Sequence, residues 1–146
     1  IRPDEAAFYC RTLLPAHYAC IMDRATPLGA GLSLAQYVAC NHVTTTYGEE
    51  WRSQYLIWLE RAELQLNEVL KVPSPAGLDR IIAGTDMVAT VPSRVAQLFE
   101  QRLVTTPCPC TDPFEICLVW TARTHDTPMH SWLRDLVFET ARRFLR

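Results

Sequence analysis

Residues 87–93 have the sequence Met87-Val88-Ala89-Thr90-Val91-Pro92-Ser93, and this stretch decides the fold. Its first five side chains are apolar or β-branched, which is typical of a buried strand. The strand must end at Pro92, because proline has no N–H to donate to a sheet, and Ser93 can cap a following helix. Pro73-Ser74-Pro75 repeats the arrangement after another apolar run. Strands that alternate with helices predict an α/β fold.

The same pattern extends outward in both directions along the chain. Apolar and β-branched runs predict further strands, and caps followed by helical stripes predict further helices. The connections are short, which favours a mixed, largely parallel sheet flanked by helices. The predicted strands are 18–22, 42–47, 64–72, 87–91, 103–106 and 114–120, and the predicted helices are 33–37, 49–59, 75–83, one from Ser93 and 128–146.

Composition places the chain among ordinary globular proteins. The 146 residues are 49% apolar and 21% charged, and no stretch has the length and apolarity of a membrane span or a secretory signal. The formal net charge is −2 and Lys71 is the single lysine, so no basic stripe is available for phosphates and the chain alone is not expected to bind DNA. The six cysteines are too sparse for a disulfide scaffold, which predicts reduced thiols in the cytoplasm.

Two clusters of reactive residue types suggest chemistry. Cys108-Pro109-Cys110 with Cys117, His125 and His130 could supply metal ligands, but no second close pair follows at the spacing of a structural zinc site, so no metal and no cofactor are expected. Cys40 and His42 lie two residues apart and could share a strand face as nucleophile and base. A small thiol-dependent hydrolase that uses Cys40 with His42, or Cys110, is therefore the alternative function.

A small-molecule cleft is the leading interpretation of the polar residues at strand ends. Sheets of this class bind ligands at the carboxyl ends of their strands, close to helix N-termini. The residues 42–46 offer an imidazole and three hydroxyls before a helix, and Ser74 lies at the start of the next one.

The stretch Gly84-Thr85-Asp86-Met87-Val88-Ala89-Thr90-Val91-Pro92 resembles the sensory domain of LysR-type transcriptional regulators, in the branch of nodulation and aromatic-degradation regulators. Residues near the end of the chain resemble the terminal strand and helix of that branch. Those residues are Trp120, Arg123, Pro128 and Trp132-Leu133-Arg134. Residues 18–22, Pro27, 32–34 and 42–43 fall in the expected order, so the resemblance covers nearly the whole chain.

The resemblance implies a periplasmic-binding-protein-like (type 2) domain of two α/β lobes with an effector in the cleft between them. Residues 1–118 would form the second regulatory lobe, and residues 119–146 the terminal strand and helix of the first. The DNA-binding domain and the first sensory segment would lie upstream, so DNA would be contacted only through that missing domain. The intact regulator would be a cytoplasmic homo-oligomer, a dimer or tetramer associated through helices of the two lobes, and not an enzyme or a membrane protein.

The resemblance, together with the strand-end positions, predicts the effector-binding residues. These are His42, Thr44 and Ser74 from one lobe with Trp120 and Thr121 from the other. Thr121 stands where many members carry histidine, Thr127 replaces an aspartate before proline, and Ser74 replaces a pocket histidine. An aromatic or carboxylate effector is therefore an expectation by analogy with the branch.

The final predicted helix carries an apolar stripe that needs cover along its length. In the family, that cover comes from the first sensory segment. The chain taken alone is therefore expected to associate or to lose order at its end. The stripe consists of Trp132, Leu133, Leu136, Val137, Thr140 and Phe144.

Overall fold

The computed structural model describes residues 8–27, 31–46, 48, 52–110 and 112–143. They fold into two compact units, which are described separately. Unit 1 comprises residues 1–16 and 114–146, and unit 2 comprises residues 17–113. The predicted boundary at 118–119 differs from this division, because residues 8–16 pair with the strand that begins at Phe114.

Unit 2 is built on a five-stranded sheet in the order β4-β3-β5-β2-β6. β3 is parallel to both of its neighbours, whereas β2 is antiparallel to both of its own. The mixed α/β character predicted from the sequence is confirmed, with two parallel and two antiparallel pairings. The strands are β2 (Tyr18–Asp23), β3 (Asn41–Thr45), β4 (Asn67–Val72), β5 (Met87–Pro92) and β6 (Leu103–Pro107).

The described residues of unit 2 form four α-helices, and two of these begin several residues after their predicted starts. They are α1 (Leu34–Ala39), α2 (Gln54–Arg61), α3 (Leu78–Ile82) and α4 (Ser93–Ala96), the last followed by a 3₁₀ turn. α2 begins after Ser53, and the predicted start at 49–51 lies outside the described residues. α3 begins after Gly77, whose φ of 84° suits glycine, while the Ser74 hydroxyl accepts the Ala76 N–H in a local turn instead of capping the helix.

The segment before β4 was predicted as strand but closes α2 instead. Glu63 adopts a left-handed φ of 55°, and the Leu64 N–H donates to the Leu59 carbonyl at 2.9 Å. Such a turn satisfies a carbonyl at the helix end, so β4 begins only at Asn67.

The sheet of unit 2 has two different buried faces because side chains alternate along a strand. One face carries an apolar core, in which Ile21, Val43 and Ala89 pack with Leu78 and Ile82 of α3. The opposite face buries polar side chains, and these form the environment of the candidate site. The buried polar residues of this face are His42, Thr44, Thr90 and Thr106, whereas Thr45 shares the face of Val43 and Ser53 lies outside the strands.

The described residues of unit 1 form a two-stranded antiparallel sheet, a short 3₁₀ turn and one α-helix. β1 (Phe8–Ala16) pairs with β7 (Phe114–Thr121), and α5 (Pro128–Arg143) packs on β1. The strand β1 was not predicted from the sequence. No helix among the described residues is long and apolar enough to cross a membrane.

The buried face of α5 is rotated relative to the predicted stripe. Phe138 and Ala141 are buried, and the Arg11 guanidinium lies 3.7 Å from the centre of the Phe138 ring. Val137 is half-buried, and Phe144 lies outside the described residues. Most of the predicted stripe faces away from the strands of unit 1. We call Met129, Trp132, Leu133 and Leu136 the exposed stripe, since they are 67%, 65%, 47% and 44% exposed.

Candidate functional site

A cavity lies where β3 and β4 end and α2 begins. The Thr46 N–H donates to the Val72 carbonyl at 2.9 Å and joins the two strand ends, and Ser53 stands at the start of α2. The cavity has a volume of about 1100 Å³, which is large enough for a small organic molecule. It lies at the carboxyl edge of parallel strands, as the sequence analysis expected of a ligand site.

The lining of the cavity combines apolar and hydroxyl groups. Four leucines, Leu56, Leu59, Leu64 and Leu66, provide apolar surface. Thr45 and Ser53 also line it, and both are buried. Among the described residues, the Thr45 hydroxyl has no hydrogen-bond partner, and the Ser53 side chain caps no helix N–H. These hydroxyls leave hydrogen-bonding capacity that a ligand could use.

Two ion pairs border the same cavity. Arg52 pairs with Glu60 at 2.8 Å, and Lys71 pairs with Glu68 at 3.0 Å. Both cations are more than half exposed, so each pair contributes little to stability. A ligand carboxylate could therefore replace the protein carboxylate on either cation at small cost.

Glu68 connects the cavity to the buried polar face of the sheet. Its carboxylate accepts a 2.6 Å hydrogen bond from the Thr44 hydroxyl. Burial opposes ionisation of this carboxyl, but hydrogen bonds from Thr44 and Lys71 outweigh it and hold the pKa of Glu68 below its ordinary value. Thr44, which was predicted to bind effector directly, is 1% exposed and contacts the cavity only through Glu68.

His42 is buried behind the cavity rather than in its lining. It is 1% exposed, its Nε2 lies 2.7 Å from the Tyr37 carbonyl, and its ring packs edge-on against the Tyr37 ring. A carbonyl only accepts, so Nε2 carries the proton. Burial lowers the pKa of His42, although the hydrogen bond to Tyr37 acts in the opposite direction. The imidazole is therefore neutral in the folded chain at neutral pH.

This burial predicts a pH dependence of stability. The unfolded chain has an ordinary histidine pKa near 6.5 and binds a proton that folded His42 resists. The free energy of unfolding should therefore fall as the pH drops below about 6.5, by at most about 1.4 kcal/mol per pH unit, until the lowered pKa is reached. Urea unfolding of the wild type between pH 7.5 and pH 5 measures the slope.

Two glutamine variants test whether His42 causes this pH dependence of the free energy of unfolding. His42→Gln should flatten it, because glutamine can still donate to the Tyr37 carbonyl but does not titrate. His17→Gln, at an exposed position, should leave it unchanged. Equal slopes in the wild type and His42→Gln would show that another group is responsible.

Of the remaining predicted site residues, Ser74 lies in unit 2, and Trp120 and Thr121 lie in unit 1. Ser74 is exposed and follows Pro73, which lines the cavity. Trp120 belongs to unit 1, where its indole N–H donates to His125 at 3.1 Å and the Arg134 guanidinium lies 4.9 Å from its ring centre. Thr121, also in unit 1, is exposed, and its hydroxyl lies 3.4 Å from that of Thr124.

Arg52, Ser53, Leu56, Glu68 and Lys71 line the cavity and were missed as site residues. For Glu68 a signal was present, because its charge interrupts the apolar row of the predicted strand. Nothing in the sequence marked Ser53, since the helix was predicted to begin four residues earlier.

Cys40, the nucleophile of the alternative function, has an environment that disfavours thiolate. Its sulfur donates to the Gln36 carbonyl at 3.1 Å. Burial, and then the charge of Asp86, raise the pKa of the Cys40 thiol, whereas an activated nucleophile needs a lowered one. Within the part of the chain that the structure describes, no three His, Cys, Asp or Glu side chains come together as a possible metal site.

The model of the LysR substrate-binding domain family matches residues 1–142 of the chain. The chain belongs to the LysR substrate-binding domain family. This LysR domain is 28% identical over 139 residues to the HTH-type transcriptional activator NahR of Pseudomonas putida, and 31% identical over 139 residues to the activator NagR of a Ralstonia species. Each alignment covers 92% of the chain and 46% of the relative. The chain thus spans less than half the length of these relatives.

Solved structures show the same fold. The regulatory domain of MexT from Pseudomonas aeruginosa superposes on the LysR domain with a TM-score of 0.77 at 26% identity, covering 93% of the chain and 68% of MexT's regulatory domain. Full-length CbnR in complex with its target DNA has a TM-score of 0.77 at 12% identity, with coverage of 97% and 51%. The family and its relatives are regulators, and the thiol-hydrolase alternative has no support among them.

Proposed function

We propose that the chain senses a small molecule for a LysR-type transcription regulator, and that unit 2 holds the principal part of the effector site. The observation that carries the proposal is the cavity at the ends of β3 and β4 in a domain whose family is defined by ligand binding. Unit 2 corresponds to one regulatory lobe, and unit 1 supplies the terminal strand and helix of the other. Trp120 and Thr121 of unit 1 remain predicted contributors to the site.

The chemistry of the cavity supports an effector with an apolar body and a polar end. The leucines would contact an aromatic or aliphatic body, while the Thr45 and Ser53 hydroxyls and the exposed cations Arg52 and Lys71 would bind oxygen atoms. His42 and Thr44 then act behind the cavity: Thr44 orients Glu68, and His42 supports Tyr37. An aromatic carboxylate meets these requirements.

The other functions of the whole regulator follow from the family. We propose that DNA binding belongs to a separate N-terminal domain of the whole regulator, as the family resemblance implies; full-length CbnR, which shares the fold of this chain, was solved with its target DNA. We propose that the regulator is a cytoplasmic homo-oligomer and that α5 contributes to its subunit contacts, because its exposed stripe is apolar.

Ligand-induced thermal stabilisation tests the effector site. A panel of aromatic carboxylates and flavonoids is added to the purified chain, and the melting temperature is measured. A compound present at a hundred times its Kd should stabilise the folded chain by about 2.7 kcal/mol. Leu56→Trp fills the cavity and should abolish the stabilisation.

Leu98→Trp is the matched control, since Leu98 is 77% exposed and does not line the cavity, and this variant should keep the full shift. The proposal fails if no compound in the panel stabilises the wild type. It also fails if Leu56→Trp, still folded, retains the shift.

A further inference from the structure

Two thiols lie in contact where β6 ends. The Cys108 and Cys110 sulfurs are 3.1 Å apart, and Pro109 alone separates the residues. The Cys108 N–H donates to the Tyr18 carbonyl at 3.2 Å, which fixes this end of the pair to β2. A disulfide needs a sulfur separation of about 2 Å, so the sulfurs have to approach by only about 1 Å.

The side chains around Cys108 favour its thiolate. Interaction with the Cys110 thiol first, then with the Cys20 thiol and the Tyr37 hydroxyl, lowers the pKa of Cys108, although burial acts in the opposite direction. Cys20 and Tyr37 are themselves held in place by Thr90, at 3.8 Å and 2.7 Å. These two side chains therefore belong to the buried polar face of the sheet rather than to mobile surface groups.

The two thiols differ in access to solvent. Cys108 is partly exposed, whereas Cys110 is 0% exposed. Of the two residues, Cys108 is therefore the one that a small reagent would meet first, and the Cys110 sulfur lies at contact distance from its sulfur. This order matches the two roles of an oxidisable pair, in which one thiol is attacked and a neighbour resolves the product.

We propose that Cys108 and Cys110 form an oxidisable dithiol whose substrate is a hydroperoxide. The Cys108 sulfur attacks the hydroperoxide oxygen that carries hydrogen. A sulfur–oxygen bond forms, the oxygen–oxygen bond breaks, and the departing alkoxide takes a proton to become an alcohol.

The Cys110 sulfur then attacks the Cys108 sulfenic acid. The sulfur–sulfur bond forms, and hydroxide leaves with the Cys110 proton as water. Overall, two thiols are oxidised to one disulfide and the hydroperoxide is reduced to an alcohol and water. The disulfide removes the thiol pair with which Cys20 and Tyr37 interact, so oxidation changes the polar contacts beside the sheet of unit 2.

Peroxide titration followed by mass spectrometry tests the inference. The purified chain is treated with hydrogen peroxide, remaining thiols are blocked with N-ethylmaleimide, and peptides are mapped. Trypsin leaves Cys108, Cys110 and Cys117 in one peptide, 103–123, so a second cleavage after Glu115 is needed to separate Cys117. The fragment with both cysteines should lose two hydrogens and take no maleimide, at about tenfold less peroxide than Cys40 requires.

Variants separate the two roles. Cys110→Ala should leave Cys108 as a sulfenic acid that dimedone traps, and Cys108→Ala should protect Cys110 from oxidation. Cys117→Ala, at an exposed position in β7, should leave disulfide formation unchanged. The inference is overturned if wild-type Cys108 is oxidised no earlier than Cys40, if the disulfide formed contains Cys20, or if Cys110 is oxidised equally in Cys108→Ala.

Discussion

Replacing Leu78 with alanine is expected to lower the free energy of unfolding by about 2–5 kcal/mol. Leu78 is the first residue of α3, is 0% exposed, and packs with Ile21, Val43 and Ala89 in the apolar core. Its removal leaves a cavity that the surrounding strands cannot fill, because they are fixed in the sheet by pairing on both sides. The loss is a large fraction of the stability of a domain of this size.

Urea unfolding followed by circular dichroism measures this loss. Leu98→Ala is the matched control, because the same atoms are removed from a side chain that is 77% exposed, and its effect should stay within about 0.5 kcal/mol. A midpoint for Leu78→Ala equal to that of Leu98→Ala would mean that α3 does not form the predicted core.

Trp132→Ala is expected to weaken self-association of the chain by a factor of about 30, equivalent to about 2 kcal/mol. Trp132 lies at the centre of the exposed stripe on α5, and a row of large apolar side chains in water favours burial against another surface. In the isolated chain the available partner is a second copy. Sedimentation equilibrium over a range of concentrations gives the dissociation constant.

Val69→Ala provides the comparison, because Val69 is 48% exposed but lies on β4 of the other unit. It should not change the dissociation constant. Hydrogen exchange gives a second readout, since the exposed stripe should become protected as the concentration rises. If the chain is monomeric at all concentrations and residues 129–136 are as protected as β5, the stripe is not an association surface.

The elements that the sequence predicted well carry strong local signals. β5 is a run of apolar and β-branched residues that ends at proline, and β2 and β6 are short runs rich in apolar or β-branched residues. These local signals predict strands without knowledge of tertiary contacts. β1 had no such signal. Its residues are mostly exposed and include Pro15, and the strand exists because β7, about a hundred residues later in the chain, pairs with it.

The effector site predicted from the sequence stays a prediction, and most of the residues that line the cavity were not among the predicted ones. The strand ends 42–46 do border the site, yet the sequence could not show which face of β3 the helices α1 and α2 would cover. His42 and Thr44 point to the buried polar face. There His42 is hydrogen-bonded to the Tyr37 carbonyl and Thr44 donates to Glu68, so their polar groups are paired within the chain. Ser53 and Lys71 reach the cavity from other elements, and their convergence depends on packing alone.

Ala16 and Phe114 are register partners in the pairing of β1 with β7. Their backbones therefore lie about 5 Å apart. Residues 17–113, which form unit 2, thus begin and end at neighbouring positions in the sheet of unit 1. A segment with adjacent ends behaves as a cassette: evolution can lengthen, shorten or exchange it without altering the span that the flanking chain must bridge. A chimera joined at these two residues therefore keeps the strand pair and helix of unit 1 while the whole of unit 2 is exchanged.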